Sequence, residues 1–133
     1  MASRTGSGEM RRARGFTILE LLVVMAIIGT LLSLAAPRYF RSMEKTKESV
    51  LRENLNVIRT TLDRYYSDMG VYPETLQELV DRRYLRKIPD DPLTGSGSSW
   101  SIVPAASREQ GVVADVRSGS SARSSDGSAY RDW

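Results

Sequence analysis

One carboxylate stands inside the most apolar stretch of the chain. Across residues 16–36 the only ionisable side chain is Glu20. A charged group in the middle of a bilayer costs about 2.5–3.5 kcal/mol, and less near an edge, so an acid in such a run is a functional suspect by default. Other chemistry is narrowed by what the chain lacks. Cys and His are both absent, which excludes Cys or His nucleophile–base pairs and His/Cys zinc sites. Metal binding is left to carboxylates, and these favour a hard cation such as calcium. Asp90 and Asp91 form an adjacent pair that general acid–base chemistry would need, yet no partner base or Gly-rich phosphate loop accompanies them. Followed by Pro92, the pair reads as a turn.

Residues 16–36 would make about 31 Å of helix at 1.5 Å per residue, close to the hydrocarbon thickness of a bilayer. Just upstream lie Arg11, Arg12 and Arg14, then Gly15 and Phe16. Basic residues beside an apolar span set its orientation, which puts the arginines in the cytoplasm and residues 38 onward outside. The run is too long for a secretory signal peptide, and Gly15-Phe16 precedes it where such peptides carry a small-residue site after it. Met10 is a second possible start, giving a short leader of Met-Arg-Arg-Ala-Arg-Gly.

A basic leader, Gly15, Phe16 and then Glu20 in register resemble the processing site of type IV pilin-like proteins. The resemblance implies that a prepilin peptidase cuts between Gly15 and Phe16 and methylates the new amino terminus, making Glu20 the fifth residue of the mature chain. The plain alternative is an ordinary signal anchor with a stray Glu. After cleavage Phe16 and Glu20, four apart, are expected on one helix face, where the new amine and the carboxylate of a single subunit could pair. In a filament, the resemblance suggests that Glu20 of an incoming subunit meets the amino terminus of its neighbour. Opposite charges in a low-dielectric bundle are poorly tolerated apart, so their pairing would set the axial offset of apolar helices.

The basic balance belongs to the leader. The whole chain carries 19 Lys+Arg and 16 Asp+Glu, a net charge of +3; four Arg and one Glu fall in residues 1–15, which leaves 15 of each sign beyond. Nucleic-acid binding is therefore not expected.

Beyond the span, Gly29, Thr30, Ser33 and Pro37 predict a bend or loosened turn. In the family, this part of the helix can unwind on filament packing; a plain Pro kink is the alternative. Residues 38–69 then read as an amphipathic helix. Met43, Val50, Leu51, Leu55, Ile58, Leu62, Tyr65, Tyr66 and Met69 supply the apolar stripe, and Glu44, Lys45, Lys47, Glu48, Arg52, Glu53, Arg59 and Arg64 the polar face. Tyr65, Tyr66 and Met69 are expected in the core. Gly70 is placed to cap the helix, and a short helix with Leu76, Leu79 and Val80 inward follows. Residues 100–103 and 112–116 read as strands of an antiparallel hairpin packed on the long helix, with room for a third strand.

The order Tyr72-Pro73, Leu76, Leu79-Val80, Tyr84-Leu85, Ile88-Pro89 and Asp91-Pro92 resembles the region after the long helix in major pseudopilins of type II secretion systems. That resemblance implies an α+β, pilin-like fold: a long N-terminal helix, half transmembrane and half amphipathic, packed on a small antiparallel sheet. It divides the chain into a cleaved leader (1–15), the transmembrane half (16–36) and a periplasmic globular domain (37–133). It also implies a homopolymer, with other pseudopilins, the prepilin peptidase and an inner-membrane assembly platform as partners. The function implied is that of a non-enzymatic subunit, stored in the inner membrane, of a periplasmic pseudopilus that drives protein secretion. A type IV or DNA-uptake pilin is the alternative within the family, and a membrane-anchored enzyme the alternative outside it.

The tail, residues 118–133, is rich in Gly and Ser and would be disordered by composition, but its Trp133 is worth burying. In major pseudopilins the corresponding tail binds calcium. The resemblance would place Asp115, Ser118 (or Ser125), Asp126 and Asp132 as ligands. Arg123 and Arg131 intrude and the acidic density is low, so calcium and a metal-free Gly/Ser loop both stand as expectations.

Overall fold

The computed structural model describes residues 1–3 and 14–133. Arg11, Arg12 and Met10, which carry the expected leader, lie outside the described residues. The chain divides into two compact units, Met1–Arg38 and Tyr39–Trp133.

In the first unit, helix α1 begins; its full span is Ile18–Met69. Thr17 precedes it, and its Oγ1 accepts the Glu20 N–H at 3.1 Å while its carbonyl accepts from Leu21 N–H. Thr17 is therefore the N-cap, with Glu20 three residues in, the spacing of a capping box. Thr30 and Ser33 donate their hydroxyls back to the carbonyls of Ala26 and Gly29. The helical span is unbroken through Pro37, where a loosened turn was the expectation. Pro removes one backbone donor, and a single missing bond does not end a helix of this length.

The second unit folds around the later turns of α1. Leu51, Leu55, Ile58, Leu62 and Tyr65 are buried, a stripe at alternating spacings of four and three. The stripe is narrower than the sequence suggested. Met43, Val50, Tyr66 and Met69 are exposed, and Tyr66 stacks instead on Tyr72 with ring centroids 4.5 Å apart. Positions 66 and 69 are one residue or one turn beyond the last buried contact, where the helix overruns its covering layer. Gly70 ends α1 at φ 75°, donating its N–H to the Tyr66 carbonyl.

Helix α2, Leu76–Asp81, starts on Thr75, whose hydroxyl accepts from Glu78 N–H at 3.3 Å. Leu76 and Leu79 are buried. Strands β1 (Ser101–Pro104) and β2 (Val113–Arg117) form a two-stranded antiparallel sheet, with Ile102 opposite Val116 and an irregularity at Val103/Pro104. Val113 and Val116 of β2 join Trp100, Tyr130 and the α1 stripe in one core. The architecture is thus α+β, a long N-terminal helix covered by a small sheet.

Two glycines permit close backbone packing here. A Cβ on Gly111, whose φ is 99°, would lie 2.2 Å from the Tyr72 carbonyl oxygen, and one on Gly119 would lie 2.0 Å from that of Ser99. Gly119 thereby brings the start of the tail onto the segment before β1.

Candidate functional site

The residues expected to direct processing and assembly lie at and just before the first turn of α1. Among the described residues, and its two chain neighbours aside, Gly15 has no atom within 4 Å of where a Cβ would sit, and Phe16 is 85% exposed. An open Gly beside an exposed aromatic suits a bond that a second protein must reach. Glu20 lies in the first helical turn, where unpaired N–H groups and the helix dipole stabilise a negative charge. Ile18, Leu19, Leu21 and Leu22 around it are exposed, and α1 is long and apolar enough here to cross a membrane.

In the uncut chain Phe16 precedes the helix and lies outside the helical turns that carry Glu20. The cause is the Thr17 cap, which takes the Glu20 N–H and starts the helix two residues after Phe16.

The second candidate site, the tail, is ordered by contacts at both of its ends. Trp133 is half-buried against Tyr130, their rings edge-to-face at 5.1 Å, and the Arg52 guanidinium lies 4.4 Å from the Trp133 ring centroid. Arg59 binds three acceptors: Asp115 Oδ1 at 2.8 Å, and the carbonyls of Val116 and Trp133.

Three of the four residues that the resemblance offers to calcium have separate side-chain partners. Asp115 Oδ1 accepts from Arg59 Nε and from the Val116 N–H. Ser118 is buried and donates to Asp91 Oδ2 at 2.6 Å. Asp126 Oδ1 accepts from the Ser124 hydroxyl and from both the N–H and hydroxyl of Ser128. These bonds, led by that of Ser124, hold the Asp126 carboxyl down at about 2. Asp132 sits in a single 3₁₀ turn, Tyr130–Asp132. Among the described residues, no three acids form a group able to hold a metal ion. With no such cluster, and with Asp115, Ser118 and Asp126 already engaged in other hydrogen bonds, the donor set fits calcium, which takes six to eight oxygen ligands, poorly.

Sequence reasoning missed two residues of this site. Glu48, assigned to the polar face, is 7% exposed, and Asp91, read as a simple turn former, is 0% exposed. Both accept hydrogen bonds from the tail. For Glu48 a signal existed: it stands three residues before Leu51, in step with the buried stripe. Asp91 does form its turn, taking Leu93 N–H on Oδ1 at 2.9 Å, but its other oxygen reaches 27 residues on to Ser118.

A capped apolar helix with an acid in its first turn, an open Gly before it and a small α+β head define the class of N-terminally methylated, pilin-like proteins. The family model for the prokaryotic N-terminal methylation motif matches residues 10–36. The chain is 35% identical to the type II secretion system core protein G of Klebsiella pneumoniae, over 62% of this chain and 71% of that protein. It is 31% identical to the core protein G of Vibrio cholerae, over 63% and 68% respectively. The type IV major pilin protein PilA of Myxococcus xanthus is 34% identical over 51% of this chain but only 31% of its own length. No solved structure matches the chain. The chain belongs to the type II secretion system core protein G family.

Proposed function

We propose that this protein is the structural subunit of a type II secretion pseudopilus. Its leader, residues 1–15, is removed by a prepilin peptidase between Gly15 and Phe16. The monomer then waits in the inner membrane with its C-terminal domain in the periplasm. Polymerisation moves its apolar helix from lipid into a filament core, an exchange of one apolar surrounding for another. Its partners are further copies, other pseudopilins and the assembly platform, and its role is mechanical, not enzymatic.

The observation that carries this reading is the register of Gly15, Phe16 and Glu20 at the start of an exposed apolar helix. In the filament, the charge created at residue 16 meets the Glu20 of a neighbouring subunit. A type IV pilin reading has less support, since the match to PilA covers under a third of that protein.

Production of the chain with its peptidase and assembly platform tests the proposal. Intact mass should begin at a methylated Phe16, and electron microscopy should show filaments containing the protein. Gly15→Leu should leave an uncut precursor. A wild-type product that keeps its arginine leader in that system contradicts the assignment.

A further inference from the structure

Glu48 and Asp91 are the two buried acids of the head unit, and neither belongs to an ion pair among the described residues. Their partners are neutral and come largely from the tail. Glu48 Oε1 accepts from Ser125 N–H at 2.8 Å and Tyr130 OH at 2.9 Å, while Oε2 accepts from the Ser125 hydroxyl at 3.2 Å. Asp91 Oδ2 accepts from the Ser118 hydroxyl at 2.6 Å and from Gly119 N–H at 3.1 Å. A carboxylate is tolerated in such surroundings only when its lone pairs are filled, and bonds to an ionised acceptor are about twice as strong as neutral ones.

We propose that Glu48 and Asp91 close the tail onto the head by hydrogen bonding alone, doing here what a bound divalent cation does in the calcium-binding tails that this one resembles. Asp91 holds the tail where it leaves β2, and Glu48 holds it 77 residues along the chain from its own position. One oxygen each of Asp126 and Asp115 is already engaged: Asp126 Oδ1 has three donors and Asp115 Oδ1 two. The cationic side chains also stand against it. Arg59 is 2.8 Å from Asp115, and Arg52 lies over Trp133, so a divalent ion entering this loop would meet like charge. The inference rests on the tail geometry and is independent of filament formation.

The full-length protein in detergent provides the test, by thermal unfolding and by limited proteolysis of the tail. Calcium at about 10 mM, above the roughly 10⁻⁴–10⁻³ M range of extracellular calcium modules, is compared with a chelator. Wild type should unfold at the same temperature in both. Glu48→Gln and Asp91→Asn should each lower Tm by roughly 4–8 °C and open the tail to protease, with no rescue by calcium. Tyr130→Phe, which keeps the ring and removes one donor, should show a smaller fall of the same kind and serves if the acid variants do not fold. A calcium-dependent rise in wild-type Tm overturns the proposal, as does a tail that stays equally protected without the Glu48 or Tyr130 contacts.

Discussion

Glu20 and Glu48 are both acids of α1, and their surroundings differ. Glu20 rests at a helix start, where backbone N–H groups favour negative charge. Glu48 lies mid-helix and depends on donors brought from the tail. The Ser125 N–H, followed by the hydroxyls of Tyr130 and Ser125 and the charge of Arg52, lowers its pKa below 4.5 against the opposing effect of burial. Burial and the same Glu48 contact push the Tyr130 hydroxyl up to about 12, with Glu44 and Asp126 adding to the rise. The signs follow from these shifts. A depressed carboxyl stabilises the fold above its unfolded value of 4.5 and loses that contribution as pH falls through the folded value. A raised phenol stabilises below its unfolded value of 10.0 and loses its contribution as pH rises toward about 12. Tm measured against pH should therefore fall on both flanks, and Glu48→Gln should flatten the acid flank below pH 4.5. Identical acid flanks in the two chains would count against the Glu48 clamp.

At the scale of elements, the core is one face of α1 closed by β2, α2 and the tail. Ile58 is fully buried and Tyr66 partly exposed on the same helix. Ile58→Ala should cost about 2–5 kcal/mol, whereas Tyr66→Ala loses one aromatic contact and should cost about 1 kcal/mol or less. Chemical denaturation of both variants checks the difference, and equal losses would show that the stripe is misplaced. Local chemistry made much of this legible beforehand. Gly70 ends the helix because it takes a positive φ, and alternating β-prone runs placed both strands to within a residue. What stayed hidden was set by distance along the chain. Charge alone put Glu48 on the polar face, because its partners Ser125 and Tyr130 lie 77 and 82 residues away. Tyr66 and Met69 fit the helical period but stay exposed, meeting Tyr72 and the Arg82 guanidinium at the rim of the core. In the tail, Arg123, Arg131 and the low acidic density were legible, whereas the hydrogen bonds from Ser118, Ser125 and Tyr130 to Asp91 and Glu48 were not.

Over the whole molecule, the charges outside the leader balance at 15 of each sign, so association between copies must be directed by particular pairs and not by net attraction. Glu20 is the one acid in the apolar span, and in the assembly proposed above it sets the register between subunits. The direct measurement is a filament count by electron microscopy of cells making the protein with its peptidase and assembly platform, beside the same cells making Glu20→Ala. The account predicts that the Ala variant reaches the membrane at the wild-type level, loses its leader and forms no filaments. Filaments at wild-type yield from Glu20→Ala would contradict it.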